Sequence, residues 1–342
     1  MKTYGVKSMN ETVLVTGGTG FVAGWCIVEL LRRGYSVRTT LRSASAEVEV
    51  RAAVATAVDS AQDRLHFCVA DLTQDEGWAA AMTGCDHVLH VASPLGNEGP
   101  GTSMVEPARD GTLRVLRAAA QAGVRKVVMT SSCAAAAPLL QGPDSVNDES
   151  QWTDERDPDL NNYRLSKLHA ERAAWDFIEK NSDGMSLTTI LPSAIFGPVL
   201  SRKKLGSVQI IERMIEGRMR ALPHVGMCIV DVRDLAELHV DALESNASSG
   251  QRFIAAGEFM WMSEMAQALR SGLGEAGRKV STRRMPDFML RLAARLVPAL
   301  HNLVPILGRK HVYVSTKAQA LLGFRPRPAV DTLLDCARSL QA

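Results

Sequence analysis

The most confining feature of this chain lies near its start. There the β-prone run Thr12-Val13-Leu14-Val15-Thr16 passes into Gly17-Gly18-Thr19-Gly20-Phe21-Val22-Ala23-Gly24, then into a helical stretch ending near Arg33. Without Cβ atoms, Gly17 and Gly20 let the backbone turn tightly and approach a pyrophosphate, which rests on the unpaired N–H groups and positive end of the following helix. Ala23 holds the third small position, where helix and strand pack closely. A glycine motif alone is weak evidence, and an ordinary strand-to-helix loop is the plain alternative. Strand, turn and helix in this order favour a dinucleotide site.

Further β-branched runs at 35–41, 65–70, 87–92, 126–131 and 186–191 alternate with longer helical stretches. Their apolar character is nearly continuous rather than alternating, as in strands covered on both faces. The expected fold class is therefore α/β, a doubly wound parallel sheet of Rossmann type with a smaller C-terminal substrate lobe. Gly34 and Gly123 stand where helices end just before strands. The expected division puts a dinucleotide-binding domain at 11–191 and the substrate lobe mainly at 192–342. A helix at 230–244 and a strand at 251–255 return the chain to the first domain.

Composition removes several functional classes. With 39 Lys and Arg against 37 Asp and Glu, the formal charge is +2, without the basic excess of a nucleic-acid binder. The six cysteines are scattered with no two-residue gap, and read as reduced, buried thiols. Residues 1–10 are polar with two lysines and lack the apolar centre of a secretory signal, so a cytoplasmic location is expected. The apolar stretch 286–307 contains Asp287, Arg291, Arg295 and three prolines, which break any membrane span; no membrane partner is expected. His66, His87 and His90 lie on or beside strands without an acidic cluster at ligand spacing, so no metal is expected.

Two groups carry chemistry. At the end of the second strand, where an NAD site places an acid for the ribose 2′-hydroxyl, this chain has Leu41-Arg42. Arg42, with Arg38 upstream, suits the 2′-phosphate of NADP, the plain alternative being two solvated arginines. The second group is Tyr163 and Lys167, four apart near the start of a helix and hence on one face. An ammonium nearby favours the phenolate and brings a tyrosine toward its working range at neutral pH. Ser132 ends the fifth strand, where a parallel sheet delivers residues to its ligand crevice.

Taken together, the glycine turn, Asp71-Leu72, His90-Val91-Ala92-Ser93-Pro94, Thr130-Ser131-Ser132, Tyr163 with Lys167, and Leu191-Pro192-Ser193-Ala194-Ile195-Phe196-Gly197-Pro198 resemble the extended short-chain dehydrogenase/reductase superfamily. More narrowly they resemble its dihydroflavonol reductase, cinnamoyl-CoA reductase and bacterial aldehyde/ketone reductase group, over 11–257 and weakly to 327. The resemblance implies that Gly17, Thr19, Gly20, Phe21 and Val22 surround the pyrophosphate and that Asp71 and Leu72 meet the adenine. Val91, Ala92 and Ser93 would flank the nicotinamide ribose, and Pro192 and Ile195 the nicotinamide. Ser132 would bond the substrate carbonyl, Tyr163 pass the proton, and Lys167 hold the ribose and lower the tyrosine pKa. The implied reaction is reversible reduction of an aldehyde or ketone to an alcohol with NADPH, NAD being the alternative cofactor, by a monomer or homodimer.

Departures sharpen this. Ser43-Ala44-Ser45-Ala46-Glu47 lacks the basic residue that plant members place after the Arg42 position, and Cys133 is followed by Ala134-Ala135-Ala136-Ala137 instead of the amide side chain of dihydroflavonol reductases. A pocket is expected from 93–95, 133–137, 193–199 and the lobe, with the alanine row making it roomy and suited to bulky or aromatic hydrophobic carbonyls. Cys133 reads as a small filler or, if its sulfur faces the crevice, as a reactive thiolate. Residues 202–204, Arg-Lys-Lys, read as a solvated loop, and 288–307 as lobe packing or a cover over the pocket. The competing functions are a nucleotide-sugar epimerase or dehydratase with retained NAD, a hydroxysteroid dehydrogenase, and a non-catalytic dinucleotide sensor. Against the epimerase or dehydratase, Cys133-Ala134 stands where related dehydratases carry an acidic pair.

Overall fold

A computed structural model describes residues 11–58, 62–94, 103–181, 184–202 and 206–341. The chain runs through β1 (Thr12–Val15), α1 (Phe21–Arg32), β2 (Ser36–Leu41), α2 (Glu47–Ala55), β3 (Leu65–Val69), α3 (Trp78–Met82), β4 (His87–His90), α4 (Val105–Gln121) and β5 (Lys126–Thr130). A short β6 (Ser145–Asn147) precedes the long helix α5 (Asn162–Asn181) and β7 (Ser186–Pro192). Next come β8 (Ala194–Phe196), α6 (Val208–Ile215), β9 (Gly226–Asp231), α7 (Val232–Glu244) and β10 (Gln251–Ala255). The last part holds β11 (Phe259–Trp261), α8 (Met262–Gly272), α9 (Asp287–Ala294), β12 (His311–Tyr313), α10 (Thr316–Leu322) and α11 (Ala329–Gln341).

Seven strands form one parallel sheet in the order β10-β7-β5-β4-β1-β2-β3. Val13, Leu14, Val88, Leu89, Val127 and Val128 are completely buried, as strands sandwiched between helices must be. Successive strands run outward from β1 in one direction and from β4 in the other, so a crevice opens at the carboxyl ends between them. The strand at 251–255 pairs with β7, Phe253 opposite Ile190, and extends the sheet.

A second core lies beyond β7. The small sheet β11-β9-β8 packs with α6, α8 and α11 around Phe196, Val208, Ile211, Met265, Leu269 and Leu333. The short strand β12 pairs with β6, and α7 returns to the large-sheet core, where it lies against α1. Arg33 of α1 reaches both Asp241 at 2.8 Å and Glu244 at 3.3 Å on α7.

Candidate active site

The glycine turn is shaped by close backbone approach. Gly17 has φ +76°, and a Cβ there would stand 3.0 Å from the Cβ of Ala92. A Cβ on Gly18 would sit 2.4 Å from Thr39 Oγ1, so this glycine, not singled out in the sequence, is held by packing against β2. The Gly17 N–H donates to Thr40 Oγ1 at 2.9 Å and the Gly18 N–H to the Thr40 carbonyl at 3.0 Å. Helix α1 then starts at Gly20 with no side-chain cap and no acid in its first turn. A cradle that Cβ atoms would fill, beside an acid-free helix start, fits the pyrophosphate of a dinucleotide.

Thr16 ties this turn to the end of β4. Its Oγ1 accepts the N–H groups of Val91 (3.0 Å) and Ala92 (2.9 Å), so its own proton goes to His90 Nδ1 at 3.0 Å. His90 is buried, which pushes its pKa down to about 3 and keeps it neutral. It is a satisfied core histidine that helps fix the backbone of Val91 and Ala92. Ser93 is half-buried next to them, while Leu95 lies outside the described residues.

Beyond the end of β3, Asp71 accepts the Thr73 N–H and hydroxyl, both at 2.8 Å. Those bonds, with the charges of Arg42 and Arg114, hold its carboxyl below the usual range. Arg42 is exposed at the end of β2. Arg38 is neither solvated nor free for a phosphate, contrary to expectation. Its guanidinium donates to the carbonyls of Ala81 (2.9 Å) and Thr83 (2.7 Å) and so caps the end of α3.

Helix α5 carries Tyr163 and Lys167 to the other side of the crevice. Asn161 caps it, its Oδ1 accepting the Arg164 N–H at 3.0 Å. The Tyr163 hydroxyl donates to Ser132 Oγ at 3.4 Å, and the same oxygen accepts the Ala134 N–H at 3.1 Å. With two donors already on its oxygen, Ser132 keeps its own proton for another acceptor. Lys167 is 6% exposed and makes no hydrogen bond or ion pair among the described residues. Burial lowers its pKa to about 8 against the pull of Glu171.

Tyr163 departs from the expected downward shift. Burial raises its pKa, opposed by the Ser132 hydrogen bond and the charge of Arg164. Arg164, directly after it in sequence, is a cation that opposes that rise. In the sequence Arg164 is visible only as a basic residue beside the tyrosine.

Glu171, one turn beyond Lys167, was also missed. It is completely buried, accepting Ser131 Oγ and Thr189 Oγ1 at 2.7 Å each and pairing with Arg252 Nε at 2.9 Å. The Arg252 guanidinium lies 3.6 Å from the centre of the Trp152 ring and also donates to the carbonyls of Glu149 and Gln151. This network locks α5 against β5, β7 and β10. The available signals were an acid four positions after Lys167 and an arginine inside a predicted buried strand.

Pro192 ends β7, and Ile195 follows on β8, half-buried. Between them the Ser193 Oγ is buried with no hydrogen-bond partner among the described residues, a polar orphan suited to a polar edge of a bound ring. The Cys133 thiol donates to the Leu191 carbonyl at 3.2 Å and packs beside Cys228, Ile254 and Ala256. Burial pushes this thiol well up, so the filler reading holds and the thiolate reading fails. The alanine row does not make the site roomy. Ala134 to Ala137 are buried because Thr153 Oγ1 draws the chain in, accepting the Ala137 N–H and donating to the Ala134 carbonyl, each at 2.8 Å. Arg202 is exposed, as the solvated-loop reading has it, and donates to the Leu340 carbonyl at 2.8 Å; Lys203 and Lys204 lie outside the described residues.

The sequence profile of the NAD dependent epimerase/dehydratase family matches residues 13–256. This chain belongs to that family. Among its family relatives, cinnamoyl-CoA reductase 1 of Petunia hybrida is 35% identical over 265 residues, covering 76% of each chain. An anthocyanidin reductase of Vitis vinifera is 33% identical over 276 residues, covering 76% of this chain and 80% of the relative. Among solved structures, yeast methylglyoxal/isovaleraldehyde reductase complexed with NADPH superposes with TM-score 0.80 at 25% identity, covering 96% of this chain and 98% of that one. Within the family the chain is thus an NAD(P)-dependent oxidoreductase of the extended short-chain reductase type. Among the described residues no helix is long and apolar enough to cross a membrane.

Proposed function

We propose that this protein reduces a hydrophobic aldehyde or ketone to the alcohol with NADPH, and oxidises the alcohol in reverse. The observation that carries this reading is the Tyr163 hydroxyl on Ser132 Oγ, which leaves the serine proton directed to a carbonyl oxygen. Bound NADPH supplies the hydride. Gly17, Thr19, Gly20, Phe21 and Val22 would hold its pyrophosphate, Arg42 its 2′-phosphate, and Asp71 and Leu72 its adenine. Val91, Ala92, Ser93, Pro192 and Ile195 would enclose the nicotinamide end. Lys167, without a protein acceptor, would bond its ribose. Ser132 orients the carbonyl and Tyr163 delivers a proton to its oxygen as negative charge grows there.

An apolar substrate is supported by the relatives named for cinnamoyl-CoA and anthocyanidin. We place the enzyme in the cytoplasm, as a monomer or homodimer. Absorbance of the reduced cofactor, followed with NADPH or NADH over aromatic and aliphatic aldehydes, ketones and sugar nucleotides, tests the reading. Tyr163→Phe should lower turnover about 10²–10⁴-fold with little change in NADPH affinity, because only the proton path is removed. Turnover of sugar nucleotides alone, or an active Tyr163→Phe enzyme, would overturn it.

A further inference from the structure

The stretch from 278 to 310 contributes no residue to the crevice described above. Helix α9 lies within it and buries only one side. Leu290 and Ala294 are 2% and 3% exposed, whereas Phe288, Met289, Leu292 and Leu296 are 71%, 49%, 59% and 83% exposed. At about 100° per residue the four exposed side chains fall on one arc, opposite Leu290 and Ala294. Arg295 continues the helical backbone, with φ −65° and ψ −23°, and so carries Leu296 onto that arc. A contiguous apolar stripe of this kind on a surface marks a contact with something other than water.

The charge around the stripe says what that contact is. From Arg278 to Lys310 the chain has eight Arg and Lys and one acid, Asp287, a local charge of +7 in a chain of +2. Arg283, Arg284, Arg291 and Arg295 are exposed and form no ion pair among the described residues. On the helical wheel Arg291 and Arg295 border the stripe. The result is an apolar band edged by unneutralised guanidinium groups.

We propose that this face docks on an anionic lipid bilayer, the stripe entering the acyl boundary and the arginines engaging headgroup charges. The helix lies in the plane of the surface, since its charged residues and its length exclude a span. A second copy of the chain fits less well, because a twofold contact would set one strongly basic patch against another. A nucleic acid would satisfy the arginines and leave Phe288, Leu292 and Leu296 in water.

The test is co-sedimentation of the full chain with vesicles of phosphatidylcholine alone and of phosphatidylcholine mixed with phosphatidylglycerol, at low and high salt. Binding to the anionic vesicles should be at least about tenfold tighter than to the neutral ones and should weaken with salt. The triple variant Phe288→Ser, Leu292→Ser, Leu296→Ser and the double variant Arg291→Glu, Arg295→Glu should each lose about tenfold, with circular dichroism and NADPH binding unchanged. Absence of binding to anionic vesicles, or equal binding to both kinds without a salt effect, would overturn the proposal. So would sedimentation equilibrium showing a dimer that the serine variant splits, since a second copy would then cover the stripe.

Discussion

In the large sheet, α1 turns Ile27, Val28, Leu30 and Leu31 inward, each 1% exposed or less, and leaves Arg33 to bind α7. In the lobe, α9 has a similarly apolar sequence but turns Phe288, Leu292 and Leu296 outward. The difference lies in what each helix has to pack against. Helix α1 crosses a sheet and meets α7, so both sides of its apolar arc find partners. Among the described residues, helix α9 buries its Leu290 and Ala294 side and leaves Phe288, Met289 and Leu292 exposed. The apolar face of α1 is therefore closed within the core, whereas α9 keeps an exposed one.

Three substitutions sharpen or break this contrast. Glu171→Leu removes the carboxylate beneath Arg252, and a buried ion deprived of its partner costs about 3–5 kcal/mol. Urea unfolding should show that loss; a change near zero would mean that the Trp152 face and the carbonyls of Glu149 and Gln151 hold Arg252 unaided.

Lys167→Met should act in the other direction. The folded pKa near 8 lies below the ordinary 10.5, so between those values the unfolded chain carries a proton that the folded chain lacks. Stability from this group therefore rises with pH across that window, and below it the cost of the buried ammonium is constant. Replacing the ammonium by an apolar chain should stabilise the protein by about 3 kcal/mol at pH 7 and flatten the dependence between pH 8 and 10.5, while activity falls. Thermal unfolding of parent and variant from pH 7 to 11 measures both effects, and a destabilised variant would show that the ammonium is held by more than burial.

Phe288→Ser should produce the smallest change, within about 0.5 kcal/mol of the parent, as expected for an exposed site. A loss of several kcal/mol in the same unfolding measurement would make the stripe part of the core and erase the contrast between the two helices.

The parallel sheet, the glycine turn and the start of α5 were legible in the sequence because they follow from local patterns. A β-branched run bounded by glycine, a helix stop before a strand, and a tyrosine four residues before a lysine all depend on backbone geometry within a few residues. Tertiary structure decided what those patterns leave free, namely which way a side chain points and what meets it there. Arg38 and Arg42 are four apart on one run, yet Arg38 turns to the end of α3 and Arg42 to solvent beside Asp71. The Cys133 thiol turns to Leu191, 58 residues away, and Glu171 finds Arg252 across 81 residues. Spacing along one strand or helix assigns each side chain a face, but its hydrogen bonds, burial and pKa come from elements brought alongside by the fold. The outward face of α9 is the same kind of decision, set by which neighbours reached it.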